Sequence, residues 1–343
     1  MTSMNQMKAV VLHSPQDAVV ELVEKPDAGD DDVIVRVSAC GLCGTDLKIF
    51  SGEYLSPYPL IPGHELAGTI VSVGSHGDSA WIGQRVAVDP TLACGHCEFC
   101  QDAQFNHCES WGAIGDTVNG GFAEFTRVPT ANIYRIKDRM PFNLAALVEP
   151  VSCAVWALER LRIRPGSRAL IFGAGPMGLI LMKLLANAGV MCVTVVDTSM
   201  ERLTVAKNHG AHDVLQSGIL DELQNSAPKG FDLVVDATGN PNVLSIALPW
   251  VRKAGQLLLF GVSPQGAMAT IEPYLIYHNE ITILSSMAIN HSYGRALNIV
   301  ETRDHEFRSL ITHEFPLSDY LKAIDMMKEG KGIKLQLSMD TLE

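Results

Sequence analysis

Short apolar runs broken by glycine and proline fill the first 150 positions. Val33-Ile-Val-Arg-Val37, Gly68-Thr-Ile-Val-Ser-Val73 and Arg85-Val-Ala-Val88 predict β-strands, and Pro62-Gly63 and Gly120-Gly121 punctuate them. Many short strands with such turns predict a partly open β-barrel. The texture changes near Glu149. From there to about Asn290, buried-strand runs (Arg168 to Phe172, Met191 to Val196, Val234-Val235 before Asp236, Leu257 to Phe260, Ile281 to Leu284) alternate with helical periodicity such as Pro176 to Ala188. That alternation predicts an α/β unit with a mostly parallel sheet. The last fifty residues return to mixed character. Ser318 to Lys328 predicts an amphipathic helix with Leu321, Ile324 and Met327 on its buried face.

Composition narrows the class. The chain has 343 residues, 47% hydrophobic and 19% charged, enough for two domains with a real core. Its formal net charge of −12, with no basic cluster, argues against nucleic acid or an anionic membrane as partner. No basic-then-apolar leader occupies Met1 to Met7, and the apolar stretch Gly178 to Val196 is interrupted by Lys183, Asn187 and Gly189, so a cytoplasmic protein with no membrane span is expected. Eight cysteines in such a chain point to metal binding or catalysis rather than disulfides.

Gly173-Ala-Gly175-Pro176-Met177-Gly178 follows a predicted strand and opens a predicted helix, the context in which G-x-G-x-x-G reads as a dinucleotide site. The glycines allow a tight turn, close approach of a pyrophosphate and close helix–strand packing, and the helix N-terminus offers amides to phosphate. Asp197 ends the second strand nineteen residues after Gly178, where an acid binds ribose hydroxyls. A 2′-phosphate about 4 Å from that carboxylate is repelled by roughly 4 kcal/mol at a dielectric near 20, so NAD is expected over NADP. Arg202, one turn further on, is placed to stack on adenine. Thr238, Gly261, Val262, Ser286 and Met287 follow the later strands and are further candidate contacts, against the plainer reading of ordinary βα turns.

Two groups suggest metal. Cys94, Cys97, Cys100 and Cys108 (C-x2-C-x2-C-x7-C) suit a closed tetrahedral zinc site with no chemistry of its own, and the spacing differs from that of ferredoxins. The second group is dispersed: Cys43, His64-Glu65 and Glu149. Singly, a histidine before a strand reads as a satisfied polar residue, and a glutamate as a solvated one.

Cys40-Gly-Leu-Cys43-Gly-Thr-Asp46, Gly63-His-Glu65, the four-cysteine lobe, Gly120-Gly-Phe-Ala-Glu-Phe125 and the glycine turn occur in the order found in the zinc-containing medium-chain dehydrogenases. The chain resembles that family along nearly its whole length, most closely its sorbitol, polyol and threonine dehydrogenase branch, marked by Glu65 after the ligand histidine and by Glu149-Pro150-Val-Ser152. The resemblance implies a GroES-like catalytic domain (1–153, with the structural-zinc lobe near 90–110), a Rossmann NAD-binding domain (154–291) and a return of the chain to the catalytic domain (292–343). It implies two zincs per chain, one structural and one catalytic, the latter on Cys43 and His64 with Glu65 as the expected third protein ligand and Glu149 either a ligand in some states or a contact of the zinc-bound water, and with Asp46 orienting His64. It also implies hydride transfer from a secondary alcohol, such as a polyol or sugar alcohol, to NAD, and assembly as a homotetramer rather than a dimer. Thr45 stands where the family relays the proton. Many relatives carry a histidine three residues later; here that position is Lys48, which puts the usual relay in doubt and leaves a ribose or substrate contact, or simple solvation, as its other readings. Glu53 and the stretch 54–58 are placed either to face polyol hydroxyls or to form a surface loop. An L-threonine or 2,3-butanediol dehydrogenase is the alternative within the enzymes. A catalytically inactive zinc- and NAD-binding protein is the alternative outside them.

Overall fold

The computed structural model describes residues 5–54 and 56–339. The chain forms two compact units, one ending at Ser152 and resuming at Ile289, the other spanning Cys153–Ala288.

The second unit is built on a six-stranded parallel sheet: Asp213–Gln216, Cys192–Asp197, Arg168–Phe172, Phe231–Asp236, Val251–Leu259 and Thr282–Ser285, in that spatial order. By rank in sequence the order is 3-2-1-4-5-6, the doubly wound order of dinucleotide-binding sheets. Strands covered on both faces read as continuous apolar runs. Leu170, Phe172, Val196, Phe231, Val234 and Leu257 accordingly form one buried cluster. The helix Pro176–Asn187 starts with proline in its first turn, where the missing N–H costs nothing, and buries seven residues.

In the first unit, the strand Asp32–Gly41 organises a seven-stranded sheet. One edge pairs antiparallel with Glu65–Val73. The other pairs through its N-terminal half with Phe125–Pro129 and through its C-terminal end with Lys334–Ser338. Glu65–Val73 continues to Arg85–Val88 and Ile133–Arg135, and Ile311–Pro316 lies parallel to Lys334–Ser338. Val33, Val35, Val37, Leu66, Ile70, Val86, Phe122 and Tyr320 make its core.

The expectation for the C-terminal helix needs one correction. The helix runs Tyr320–Lys328, and Leu321 is 48% exposed, whereas Tyr320, Ala323 and Ile324 are buried and Met327 packs on the core. Positions 320, 323, 324 and 327 follow the i, i+3, i+4, i+7 spacing, and Leu321 is rotated about 100° away from Tyr320. One helical stretch among the described residues, Phe142–Glu159, is long and apolar enough to cross a membrane, but 67% of it is buried in the protein's own interior, as in a core helix.

Candidate active site

The strand Asp32–Gly41 delivers the chain to Cys43, which stands at the N-cap of the helix Gly44–Ser51. Asp46 closes that end: its Oδ2 accepts the Cys43 N–H at 2.8 Å. His64 and Glu65 enter from the start of the neighbouring strand, and Gly41 and Glu65 are register partners. Ligand atoms of Cys43, His64 and Glu65 all lie within 4.8 Å of one another. His64 and Glu65 are buried. Glu65 Oε2 is buried without a hydrogen-bond partner, which is costly unless a cation completes it. A thiolate, an imidazole and a carboxylate form a set suited to zinc.

Of the two candidate acids, the geometry brings Glu65 into this group and leaves Glu149 outside it. Glu149 sits buried in the first turn of the helix Val148–Glu159, with its backbone carbonyl accepting Ser152 Oγ at 2.6 Å. It is a neighbour of the group rather than a member.

Two acids face His64 Nδ1: Asp116 Oδ1 at 3.2 Å and Asp46 Oδ1 at 3.8 Å. Burial pushes the His64 imidazole down, but Asp116 and Asp46 outweigh it and hold the group well above its ordinary value. Burial pushes Asp46 itself up to about 6, against the pull of His64. Asp46 was legible as the orienting acid; Asp116, the nearer one, was not. It arrives because glycines let two backbones touch: a Cβ on Gly115 would lie 2.5 Å from Gly63 O, and one on Gly120 would lie 2.3 Å from the same atom. The glycine density around 112–121 is the one signal that marked this loop.

Lys334 was also missed. Its buried Nζ donates to Glu65 Oε1 at 2.5 Å and to Leu42 O at 2.8 Å. Burial alone would push its ammonium down, but Glu65 and Cys43 outweigh this and hold it above its ordinary value. Thr45 Oγ1 lies 3.8 Å from Cys43 Sγ, and Lys48 is half-buried one turn along the same helix. Cys40 is a core thiol that burial pushes well up, not a ligand. Tyr58 spends its hydroxyl on Ile49 O at 2.6 Å, and Glu53 accepts from Ser51 Oγ, so neither is committed to a ligand; Leu55, in the same stretch, lies outside the described residues.

The four-cysteine lobe carries its own fit to zinc. Cys94 Sγ and Cys100 Sγ are 4.0 Å apart, and Cys97 Sγ and Cys108 Sγ 3.9 Å. Four sulfurs at 2.3 Å from a tetrahedral ion stand about 3.8 Å apart, far beyond a disulfide bond of about 2.05 Å. Backbone amides already point at the sulfurs: Cys94 N–H at Cys108 and Cys97 N–H at Cys94. Backbone N–H donors from Glu109 and Cys100 bring the Cys97 thiol down, whereas burial and the neighbouring thiols push Cys100 up to about 12, so the four sulfurs do not share one protonation state without a cation among them.

In the second unit, the dinucleotide candidates lie at the carboxyl ends of the parallel strands. Gly173, Asp197, Thr238, Gly261 and Ser286 follow or end its first, second, fourth, fifth and sixth strands in chain order. Gly173 has φ +103°, and a Cβ on Gly178 would lie 1.9 Å from Gly173 O, so only glycine fits there. Gly175 caps the helix, and a Cβ on it would meet nothing, leaving open space before the unsatisfied first-turn amides, with Met177 beside Pro176 in that turn. Asp197 does more than the sequence suggested. Its Oδ2 accepts the Ala174 N–H at 2.7 Å and its Oδ1 the Ser199 N–H at 2.9 Å, clasping the glycine turn to the second strand. A carboxylate has about four acceptor sites, so capacity for ribose hydroxyls remains. Arg202 is half-buried in the first turns of the helix Met200–Asn208. Thr238 is locked on Asp236, its N–H at 2.8 Å and its Oγ1 at 2.6 Å. A Cβ on Gly261 would lie 2.1 Å from Gly239 N, so these two turns touch, and Val262 and Met287 are exposed beside them.

Residues 29–138 match the alcohol dehydrogenase GroES-like domain family, and residues 176–302 the zinc-binding dehydrogenase family. The chain is 36% identical to a D-arabinitol dehydrogenase of Uromyces fabae over 96% of each chain. It is 35% identical to a D-altritol 5-dehydrogenase of Agrobacterium fabrum, over 92% of this chain and 94% of that one. Identity to an L-threonine 3-dehydrogenase of Xanthomonas euvesicatoria is 30%, over 97% and 99%. Among solved structures, a zinc-binding dehydrogenase from Sinorhizobium meliloti bound to NADP superposes with a TM-score of 0.94 at 30% identity, covering 98% of this chain and all of that one. An alcohol dehydrogenase from Escherichia coli CFT073 complexed with NADH gives 0.92 at 29%, with the same coverage.

Proposed function

The chain belongs to the zinc-containing medium-chain alcohol dehydrogenase family, and from that membership we propose that it oxidises a secondary hydroxyl of a polyol or sugar alcohol with NAD, giving a ketone or ketose. The observation that carries this reading is the Cys43–His64–Glu65 group, its histidine and glutamate buried and Glu65 Oε2 unpartnered. Three protein ligands make an open site, unlike the closed four-sulfur lobe, so the reading assigns one catalytic and one structural zinc to each chain.

A zinc ion in the open site supplies a Lewis acid that lowers the pKa of a substrate hydroxyl, and NAD supplies the hydride acceptor. Asp116, and more distantly Asp46, face His64 Nδ1, leaving Nε2 as the ligand atom, an arrangement that orients metal-bound histidines and raises their basicity. Thr45, beside Cys43, receives the hydroxyl proton and passes it outward along the face that carries Lys48. Glu149, buried beside the group, accepts hydrogen bonds from further hydroxyls of the substrate. Gly173 to Gly178 receive the pyrophosphate and Asp197 the ribose hydroxyls, with Arg202 flanking the adenine; Thr238, Gly261, Val262, Ser286 and Met287 complete the cofactor contacts from the later strand ends.

The polyol class draws its support from the D-arabinitol and D-altritol dehydrogenases, which exceed the threonine relative in identity. The test is a panel of sugar alcohols, aldonates, threonine and 2,3-butanediol with NAD. Turnover of at least one polyol above threonine and butanediol is expected; no turnover of any polyol overturns the substrate class. The dinucleotide preference is read in the same assays. A repulsion of roughly 4 kcal/mol at Asp197 predicts kcat/KM at least about a hundredfold higher with NAD than with NADP. Equal or better turnover with NADP refutes it.

All eight cysteines are unpaired, which supports a reducing compartment, the cytoplasm. Self-association draws support from Thr282–Ser285, the last strand at one edge of its sheet, and from exposed Met268, Tyr274 and Tyr277 in the segment that precedes it; a homotetramer is the proposed form.

A further inference from the structure

The strand Lys334–Ser338 places a buried ammonium, 3% exposed, against the candidate metal group. Lys334 Nζ donates to Glu65 Oε1 and, at 2.8 Å, to Leu42 O just before Cys43. The other carboxylate oxygen, Glu65 Oε2, has no partner. It lies against Gly41, where a Cβ would come within 2.0 Å of Oε2 and 3.1 Å of Lys334 Cε, so only glycine leaves room for the carboxylate there. The carboxylate therefore has one oxygen tied to a cation and one oxygen left over.

That asymmetry matters for a metal ligand. Carboxylates bind metals through one oxygen or through two. Two-oxygen binding by Glu65, added to Cys43 and His64, would fill the position that a catalytic zinc must keep open. Lysine suits the task of preventing this, because its ammonium has three donors and no acceptor, and so cannot itself become a ligand while charged. Placing a cation beside a divalent ion is tolerable here because the acids balance it. A divalent ion and Lys334 together are offset by the Cys43 thiolate, Glu65 and Glu149, whose charges all bear on Lys334.

We infer that Lys334 is a positioning residue: it holds Glu65 Oε1, so that Glu65 offers the metal Oε2 alone and a coordination position stays free for the substrate hydroxyl. The inference rests on the reading of Cys43, His64 and Glu65 as the catalytic-metal group.

Cobalt(II) exchanged into the purified full-length protein tests it, because its visible d–d absorption reports coordination number without any turnover. In Lys334→Met the bands are expected to weaken and shift towards those of a five-coordinate ion. The KM for the alcohol should rise about tenfold or more, the range seen when outer-shell partners are removed, with a smaller change in kcat. Lys334→Arg, which restores charge and donors, should return both readouts towards the parent. A Lys334→Met protein whose cobalt spectrum and KM match the parent overturns the inference. Should Lys334→Met lose the parent's far-UV circular dichroism, Lys334→Gln, with one donor group and no charge, replaces it and is read the same way. A parent protein that takes up only one metal per chain, in the four-sulfur lobe, refutes the metal reading of Cys43, His64 and Glu65 itself, which separates the two failures.

Discussion

Cys43→Ala should lower kcat/KM by roughly three to four powers of ten and remove one zinc per chain while leaving the protein folded. A metal acting as Lewis acid supplies several kcal/mol of charge stabilisation in the transition state, and each 1.36 kcal/mol is tenfold in rate. The fold survives because Cys43 is only half-buried and Asp46 still accepts the N–H of residue 43 at the helix start. His64→Ala is the less informative variant. It would leave the Asp46 and Asp116 carboxylates buried without the imidazole between them, so lost stability would be mixed with lost catalysis. Steady-state kinetics, metal analysis and circular dichroism on Cys43→Ala check the prediction. A kcat/KM within tenfold of the parent would remove Cys43 from the catalytic group.

The second unit was readable residue by residue, for a physical reason. Its inner strands are buried on both faces, so Leu170-Ile-Phe172, Val195-Val196 and Leu257 to Leu259 are apolar runs, and the glycine turn fixes which strand comes first in the fold. The first unit was readable only in its motifs. Cys43, His64 and the four cysteines declare themselves by residue type and spacing, since few other arrangements of sulfur and imidazole are useful. Lys334 carries no such mark. It lies 269 residues from Glu65, on a strand that reaches the site through pairing with Asp32–Gly41, and no local pattern reports that pairing. Asp116 is hidden differently, by a loop that reaches His64 because Gly63, Gly115 and Gly120 lack side chains. The misread helix face at Leu321 has a third cause. Three apolar residues at spacing three fit a helical stripe, but Tyr320 and Ala323 outcompeted Leu321 for the core.

Glu65 and Glu149 show where residue types alone stop. Both are acids beside a ligand motif, and the family resemblance put Glu65 first without a physical reason from the residues themselves. Strand register ranks them: Glu65 is paired with Gly41 two residues before Cys43, whereas Glu149 is set one helix start away.

The four-sulfur lobe should respond to mutation in the opposite sense to Cys43, in stability first and catalysis second. Cys97, Cys100 and Cys108 form their own small buried cluster, joined by Cys94, Phe105 and Trp111, with almost no aliphatic core beneath it. On the proposed reading such a lobe is held by a metal, because structural zinc binding contributes directly to folding free energy. Cys97→Ser is expected to lose one zinc per chain and at least about 4 kcal/mol, the range of metal-site losses, which lowers Tm by roughly 8–16 °C in a protein unit of this size. The damage should reach the active site by a traceable route. Asn290 clasps the lobe with both ends of its amide, accepting the Phe105 N–H at 3.1 Å and donating to Ala103 O at 3.0 Å. Two residues on, Ser292 Oγ donates to Ser152 O at 2.8 Å, in the helix Val148–Glu159 that carries Glu149. Loss of the lobe frees that segment, so kcat should fall, though by less than in Cys43→Ala, which removes the reacting metal itself. Thermal melts and metal analysis on Cys97→Ser decide it: an unchanged Tm with two zincs still bound would show that the four sulfurs hold no structural ion.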